Sequence, residues 1–162
     1  MTDDRLTRRA WIARMATTAL GGVAMTALVS RASAATPKPT SITVYKDPSC
    51  GCCKSWVEHL RANGFALDVH DRSDMAALKD SLGVPAALRS CHTAVAGAYV
   101  IEGHVPAADV KQLLAAKPAK TVGVAVPGMP AGSPGMDMGG RVDRYDVIAF
   151  APGGATRIFA RH

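Results

Sequence analysis

Three of the chain's four cysteines stand inside four consecutive residues, Cys50-Gly51-Cys52-Cys53, and the fourth is Cys91. Any fold for this chain must therefore place three thiols on one tight segment. In an oxidising compartment an even number of cysteines reads by default as two structural disulfides. The spacing argues against that default, because a bond between the neighbours Cys52 and Cys53 would close a strained ring. Thiols crowded this closely serve metal or redox chemistry more often. Cys50 and Cys53 form a CxxC pair by themselves, and a disulfide enzyme needs only one attacking and one resolving thiol. The additional Cys52 is better explained by metal.

The compartment follows from the N-terminus. Residues 1–14 are polar and carry Arg5, Arg8, Arg9 and Arg14, and Met15 to Val29 follows without a charge. Ala32-Ser33-Ala34 then offers the small residues a signal peptidase reads, so 1–34 is expected to be a signal peptide and 35–162 the mature domain. The apolar run is short of the ~20 residues a membrane span needs, so no stable span is expected after cleavage. Thr7-Arg8-Arg9-Ala10-Trp11-Ile12 resembles the twin-arginine export signal, and Arg31 resembles the charge that keeps such signals out of the Sec pathway. An ordinary Sec signal is the alternative, and either route takes the protein out of the cytoplasm. Residues 1–34 hold five Arg and two Asp of the chain's 19 basic and 13 acidic residues, which leaves 14 basic and 11 acidic beyond them. No Lys/Arg run interleaves with aromatics, so a nucleic-acid partner is not indicated.

The mature segment suits one domain. Ser41 to Lys46 alternates and is β-branched, which predicts a strand, and Asp47-Pro48-Ser49 ends it ahead of the cysteine loop. From Lys54 the residues Trp56, Val57 and Leu60 share a helical face, stopped at Asn63-Gly64. Phe65 to His70 is a second strand, and Ser73 or Asp74 caps a helix carrying Met75, Leu78 and Leu82. Thr93 to Ala96 and Tyr99 to Glu102 form a hairpin broken by Gly97, and Pro106 opens a third helix with Val110, Leu113 and Leu114 inward. This order predicts an α/β, thioredoxin-like sandwich with the cysteines between the first strand and first helix. A C-terminal loop dense in Gly, Pro and Met, Val126 to Gly140, cannot be regular structure. An added β-hairpin, Tyr145 to Phe150 with Ala155 to Ala160, follows it, so the loop is tethered at both ends.

At the start of the first helix, unpaired N–H groups and the helix dipole favour thiolate, the form that binds metal and attacks disulfides. Cys91 is the expected fourth thiolate, against the plainer reading of a buried small residue. His92 beside it and His104 are secondary candidates. Met129, Met136 and Met138 offer thioethers, which select soft cations such as Cu(I), or else simply cover the apolar face of the domain. His59 and His70 receive no role, and Glu102 is placed to hydrogen-bond a ligating histidine.

These segments together carry a resemblance. The run from Tyr45 through CxCC is similar to the CopG-type periplasmic copper-resistance proteins. Further matches are Leu82-Gly83-Val84-Pro85, Ser90-Cys91-His92-Thr93, Glu102-Gly103-His104-Val105-Pro106, Val126-Pro127-Gly128-Met129-Pro130 and Gly132-Ser133-Pro134-Gly135-Met136. The resemblance spans about Ser41 to Arg161. It implies a thioredoxin-like fold, periplasmic location, and copper held by Cys50, Cys52, Cys53 and Cys91, with a redox role on copper between Cu(I) and Cu(II). The expected function is copper resistance through a multi-cysteine Cu(I) site, with more than one ion per chain and other periplasmic copper-handling proteins as partners. Whether the site turns over as an enzyme is left open. Two other readings stand beside it: a thiol-disulfide oxidoreductase using Cys50 and Cys53, and a structural zinc domain. Zinc fits CxCC poorly, because neighbouring Cys52 and Cys53 chelate one tetrahedral ion awkwardly.

Overall fold

The computed structural model describes residues 39–137 and 139–162. The expected signal peptide and Met138 lie outside these residues. Strand β1 (Ser41–Lys46) leads into helix α1 (Gly51–Ala62), then β2 (Ala66–Asp71), α2 (Met75–Ser81), β3 (His92–Ala96), β4 (Tyr99–Glu102) and α3 (Ala107–Ala116). A short β5 (Gly123–Ala125) precedes the loop, and the hairpin β6 (Asp146–Phe150) and β7 (Thr156–Arg161) closes the chain. One seven-stranded sheet runs in the order β2-β1-β3-β4-β5-β6-β7. The chain therefore has the expected α/β architecture, with the tail hairpin extending the same sheet.

The alternation read in β1 appears directly as burial. Ile42 and Val44 are fully buried, and they share a core with Trp56, Val57 and Leu60 of α1 and Val110 and Leu113 of α3. The two helices thus cover one face. The connection from β1 through α1 to the parallel β2, and from β4 through α3 to the parallel β5, brings each helix back over the sheet. On the other face Val100, Ala125 and Phe150 pack with Val84 and Leu88, which follow α2. Each fully buried large side chain stabilises the fold by about 1.5–3 kcal/mol. Trp56 adds a hydrogen bond from its indole Nε1 to the Val105 carbonyl at 2.9 Å, tying α1 to the segment that enters α3.

Two elements differ from the sequence reading. Helix α1 begins at Gly51, not Lys54, so Cys52 and Cys53 lie in its first turn and Cys50 is its N-cap residue. The cysteines occupy the helix end itself and not a loop before it. β5 was not expected, since its three residues Gly-Val-Ala show no alternation to read; it pairs with both β4 and β6. Gly123 is required there, because a Cβ would lie 2.1 Å from the Val100 carbonyl oxygen.

His59, assigned nothing from sequence, accepts the backbone N–H of Ala107 through Nε2 at 3.1 Å. Pro106 precedes α3 with no side-chain cap, so His59 satisfies one of the helix's free donors from across the core. Only the neutral imidazole can accept, and burial lowers the His59 pKa from its ordinary 6.5. A histidine lowered in the folded state stabilises fully above its unfolded pKa and loses that contribution as pH falls toward the folded value. His59→Ala is expected to cost about 1 kcal/mol in urea unfolding at pH 7.5. The gap between the two proteins should narrow at pH 5, and a gap constant across that range would refute the capping role.

Candidate metal centre

Helix α1 and the start of β3 bring the four cysteines together. The sulfurs of Cys50, Cys52, Cys53 and Cys91 all lie within 4.8 Å of one another, as do the ligand atoms of Cys91, His92 and His104. Cys50 and Cys53 are joined in a disulfide, while Cys52 and Cys91 are free thiols. Cys52 Sγ sits 3.4 Å from Cys50 Sγ and 3.9 Å from Cys91 Sγ. Cys91 Sγ in turn lies 3.2 Å from His92 Nδ1 and 3.0 Å from His104 Nε2. A continuous line of sulfur and nitrogen donors therefore runs from the α1 N-terminus into the protein.

The electrostatics differ along that line. Burial first, and then the neighbouring Cys52 sulfur, push the Cys91 thiol up to about 12. A bare thiolate is disfavoured there, and a bound cation would offset the cost by displacing the proton. His92 is fully buried; desolvation, then the nearby His104 and Lys79, hold its pKa well below the ordinary value. His104, the other secondary candidate, is also fully buried, and desolvation lowers its pKa. Both rings are thus neutral, the form that ligates metal. His92 takes the helix-covered face of β3, where its ring packs 4.3 Å from Trp56 and 5.0 Å from His104.

Cys91 is placed by a buried network that the sequence did not reveal. Glu102 was expected to hydrogen-bond a histidine. Instead it projects to the opposite face of the sheet, since β-strand neighbours alternate, and its Oε1 accepts Lys79 Nζ at 2.5 Å and the Ser90 N–H at 2.6 Å. The Thr93 hydroxyl donates to Oε2 at 2.7 Å and accepts from Lys79 at 2.8 Å. Glu102 is fully buried and Lys79 nearly so. This carboxylate holds the backbone one residue before Cys91. A lysine on a short helix carries no sequence mark of burial, so its role was not legible.

The Gly/Pro/Met loop lies over the same site. The Pro134 carbonyl accepts from His104 Nδ1 at 2.8 Å, and the Gly128 carbonyl accepts from the Ser90 hydroxyl. Gly135, at φ +84°, approaches α1 so closely that a Cβ would stand 2.7 Å from Trp56 N and 2.8 Å from Cys52 O. Gly103, at φ +73°, has no room for a Cβ between Ser90 and the Val126 carbonyl. Of the candidate thioethers, Met129 is 54% exposed and Met136 half-buried.

The donor set fits a soft metal, because sulfur and neutral imidazole suit copper and zinc and do little for magnesium or calcium. All four sulfurs become available as ligands only when the Cys50–Cys53 bond is reduced. Among the described residues no helix is long and apolar enough to cross a membrane.

The buried pair sets a stability test. Lys79→Met alone leaves an uncompensated carboxylate and should destabilise by about 3–5 kcal/mol, whereas Lys79→Met with Glu102→Leu should recover much of that loss. Urea unfolding of the three proteins decides it, and equal losses in the single and double variants would mean that the pair is not a coupled unit.

Comparison with known proteins agrees with this geometry. Residues 88–136, which carry Cys91, His92, His104 and the loop as far as Met136, match the family model described as "Protein of unknown function, DUF411". No curated protein matches the chain. Two solved structures are similar to it, both titled copper resistance protein copG. Form 2 is 48% identical with a TM-score of 0.73, and Form 1 is 49% identical with a TM-score of 0.72. Each alignment covers 76% of this chain and 98% of the other. With that identity over nearly the whole length of those proteins, and with the cysteine cluster in place, the chain belongs to the CopG family of copper resistance proteins.

Proposed function

We propose that this protein is an exported, periplasmic copper-binding protein that holds Cu(I) at Cys50, Cys52, Cys53 and Cys91 as part of copper resistance. The observation that carries the reading is the convergence of four sulfurs within 4.8 Å. Thiolates select Cu(I), and a bridging sulfur serves two ions at once, so four cysteines suit more than one ion per chain. When bound, copper would supply a one-electron couple between Cu(I) and Cu(II). The chain's own part is to present the sulfurs and keep both buried imidazoles neutral. Residues 1–34, with Arg8-Arg9 and Ala32-Ser33-Ala34, support export by the twin-arginine route. Met129 stands exposed on the loop over the site and suits transfer of copper from another periplasmic carrier. Met136 and Met138 belong to the same proposed relay.

The Cys50–Cys53 disulfide favours a second reading, a thiol-disulfide oxidoreductase. Cys52 is close enough to Cys50 to take part in exchange. Cys91 adds little to that reading, because its thiol is pushed up to about 12 and is a poor attacking group at neutral pH. Loading copper on all four sulfurs requires two electrons and two protons to open the disulfide, which an external dithiol would supply on becoming a disulfide itself.

The two readings separate on one residue. In the reduced protein, Cys52→Ser should lower Cu(I) stoichiometry about as much as Cys50→Ser, read by copper analysis after anaerobic loading. Full copper on Cys52→Ser would refute the multithiolate site. Disulfide reductase activity lost in Cys50→Ser but kept in Cys52→Ser would favour the oxidoreductase.

A further inference from the structure

A cleft that shares no residue with the cysteine centre lies between the turn after α3 and the β6–β7 hairpin. Its volume is about 220 Å³. Lys120 and Thr121 line it from the turn, and Thr156 and Arg157 from the start of β7. Ala149 and Phe150 of β6, both almost fully buried, give it an apolar wall. We propose that this cleft binds a small organic anion, a monocarboxylate with a compact apolar body, between Lys120 and Arg157. The site rests on nothing in the copper reading.

Charge sets the sign of the ligand. Two cations line the cleft and no carboxylate does. Among the described residues neither Lys120 nor Arg157 takes part in an ion pair. Arg157 instead lies over the Phe159 ring, its guanidinium carbon 6.0 Å from the ring centre. A guanidinium stacked on an aromatic face keeps its N–H edge for a carboxylate, which it can bind through two parallel hydrogen bonds. The hydroxyls of Thr121 and Thr156 add neutral donors to the same cleft.

The backbone at Lys120 is a separate observation. Lys120 stands at φ +60°, in the left-handed region that residues with a side chain rarely adopt. Lys117 is left-handed too, at φ +43°, but it caps the end of α3, where that conformation is an ordinary stop. No helix end accounts for Lys120. Glycine would hold this turn at lower cost, and strain of this kind collects at ligand sites. The walls are fixed as well. Val122 N–H donates to the Phe150 carbonyl at 2.8 Å, and Ala151 N–H to the Ala155 carbonyl at 2.9 Å. Backbone already set before a ligand arrives lowers the cost of binding one.

Size and wall chemistry narrow the class. Drug-sized ligands occupy sites of about 300–1,000 Å³. A cleft of about 220 Å³ suits a smaller molecule. An inorganic anion would meet the two cations but gain nothing from Ala149 and Phe150. A carboxylate carrying a ring or a short chain meets the cations with its charge and covers the apolar wall with its body.

Benzoate is the probe, titrated into the nitrogen-15-labelled protein while the backbone amides are followed. Shifts should concentrate on Lys120, Thr121, Thr156 and Arg157 and saturate at millimolar benzoate. Benzylamine, a similar ring with the opposite charge, should leave these amides unmoved, and inorganic phosphate should bind more weakly than benzoate. Lys120 and Arg157 are both exposed, so Lys120→Gln and Arg157→Gln should each weaken benzoate only about threefold, and together about tenfold. Lys120→Gly should relax the turn, raise the urea midpoint and still lose affinity. Absent shifts at tens of millimolar benzoate, an equal response to benzylamine, or full affinity in Lys120→Gly or the double variant would overturn the site. Phosphate binding as tightly as benzoate would overturn the organic class of ligand. The titration should be the same with the Cys50–Cys53 bond oxidised or reduced. Benzoate binding confined to one state would belong to the cysteine centre and overturn a separate cleft.

Discussion

The buried carboxylate of Glu102 is the constraint on which the centre depends. It lies in β4 opposite Thr93 of β3, so the sheet register sets its position. Lys79 arrives from α2 to neutralise it, and the Ser90 N–H completes its shell. With both oxygens satisfied, the charge is tolerated in the interior, and the segment Ser90-Cys91-His92 has little freedom left. Removing only one partner would leave a buried charge and release the segment that carries the fourth sulfur. A network on one face of the sheet thus fixes donors that point to the other.

The second constraint is the close approach of the loop. Gly135 against α1 and Gly103 between Ser90 and Val126 allow backbone to come nearer than any side chain would permit. The Pro134 carbonyl then reaches His104. The same segment that shields the centre also orients one of its nitrogens, which links the loop's odd composition to the site through its backbone. The disulfide at the α1 N-terminus makes sulfur availability a redox question, with Cys52 and Cys91 free in either state of that bond.

Much of this was legible in sequence because it rests on periodicity and spacing. The alternation of Ser41 to Lys46, the Trp56-Val57-Leu60 face and the Gly97 hairpin are local signals, and each matches an observed element. The clustering of four cysteines followed from CxCC together with one distant cysteine in an α/β order. What was not legible depends on tertiary contact. The early start of α1 at Gly51 has no apolar pattern to announce it, and β5 is too short to alternate. Lys79 looks like any solvated helix lysine, and His59 looks like an exposed one, until a partner across the core turns each inward. The burial of His104 has no local signal, because its partner is a backbone carbonyl 30 residues away.

The central claim is that the four sulfurs hold copper as a group. Elemental analysis of the protein purified anaerobically from copper-grown cells, with free thiols counted on the same sample, tests it most directly. The account predicts more than one copper per chain, few free thiols before chelation, and four after chelation without any reductant. No copper, with two free thiols and a disulfide that only a reductant opens, would contradict it and leave the thiol-disulfide reading in its place.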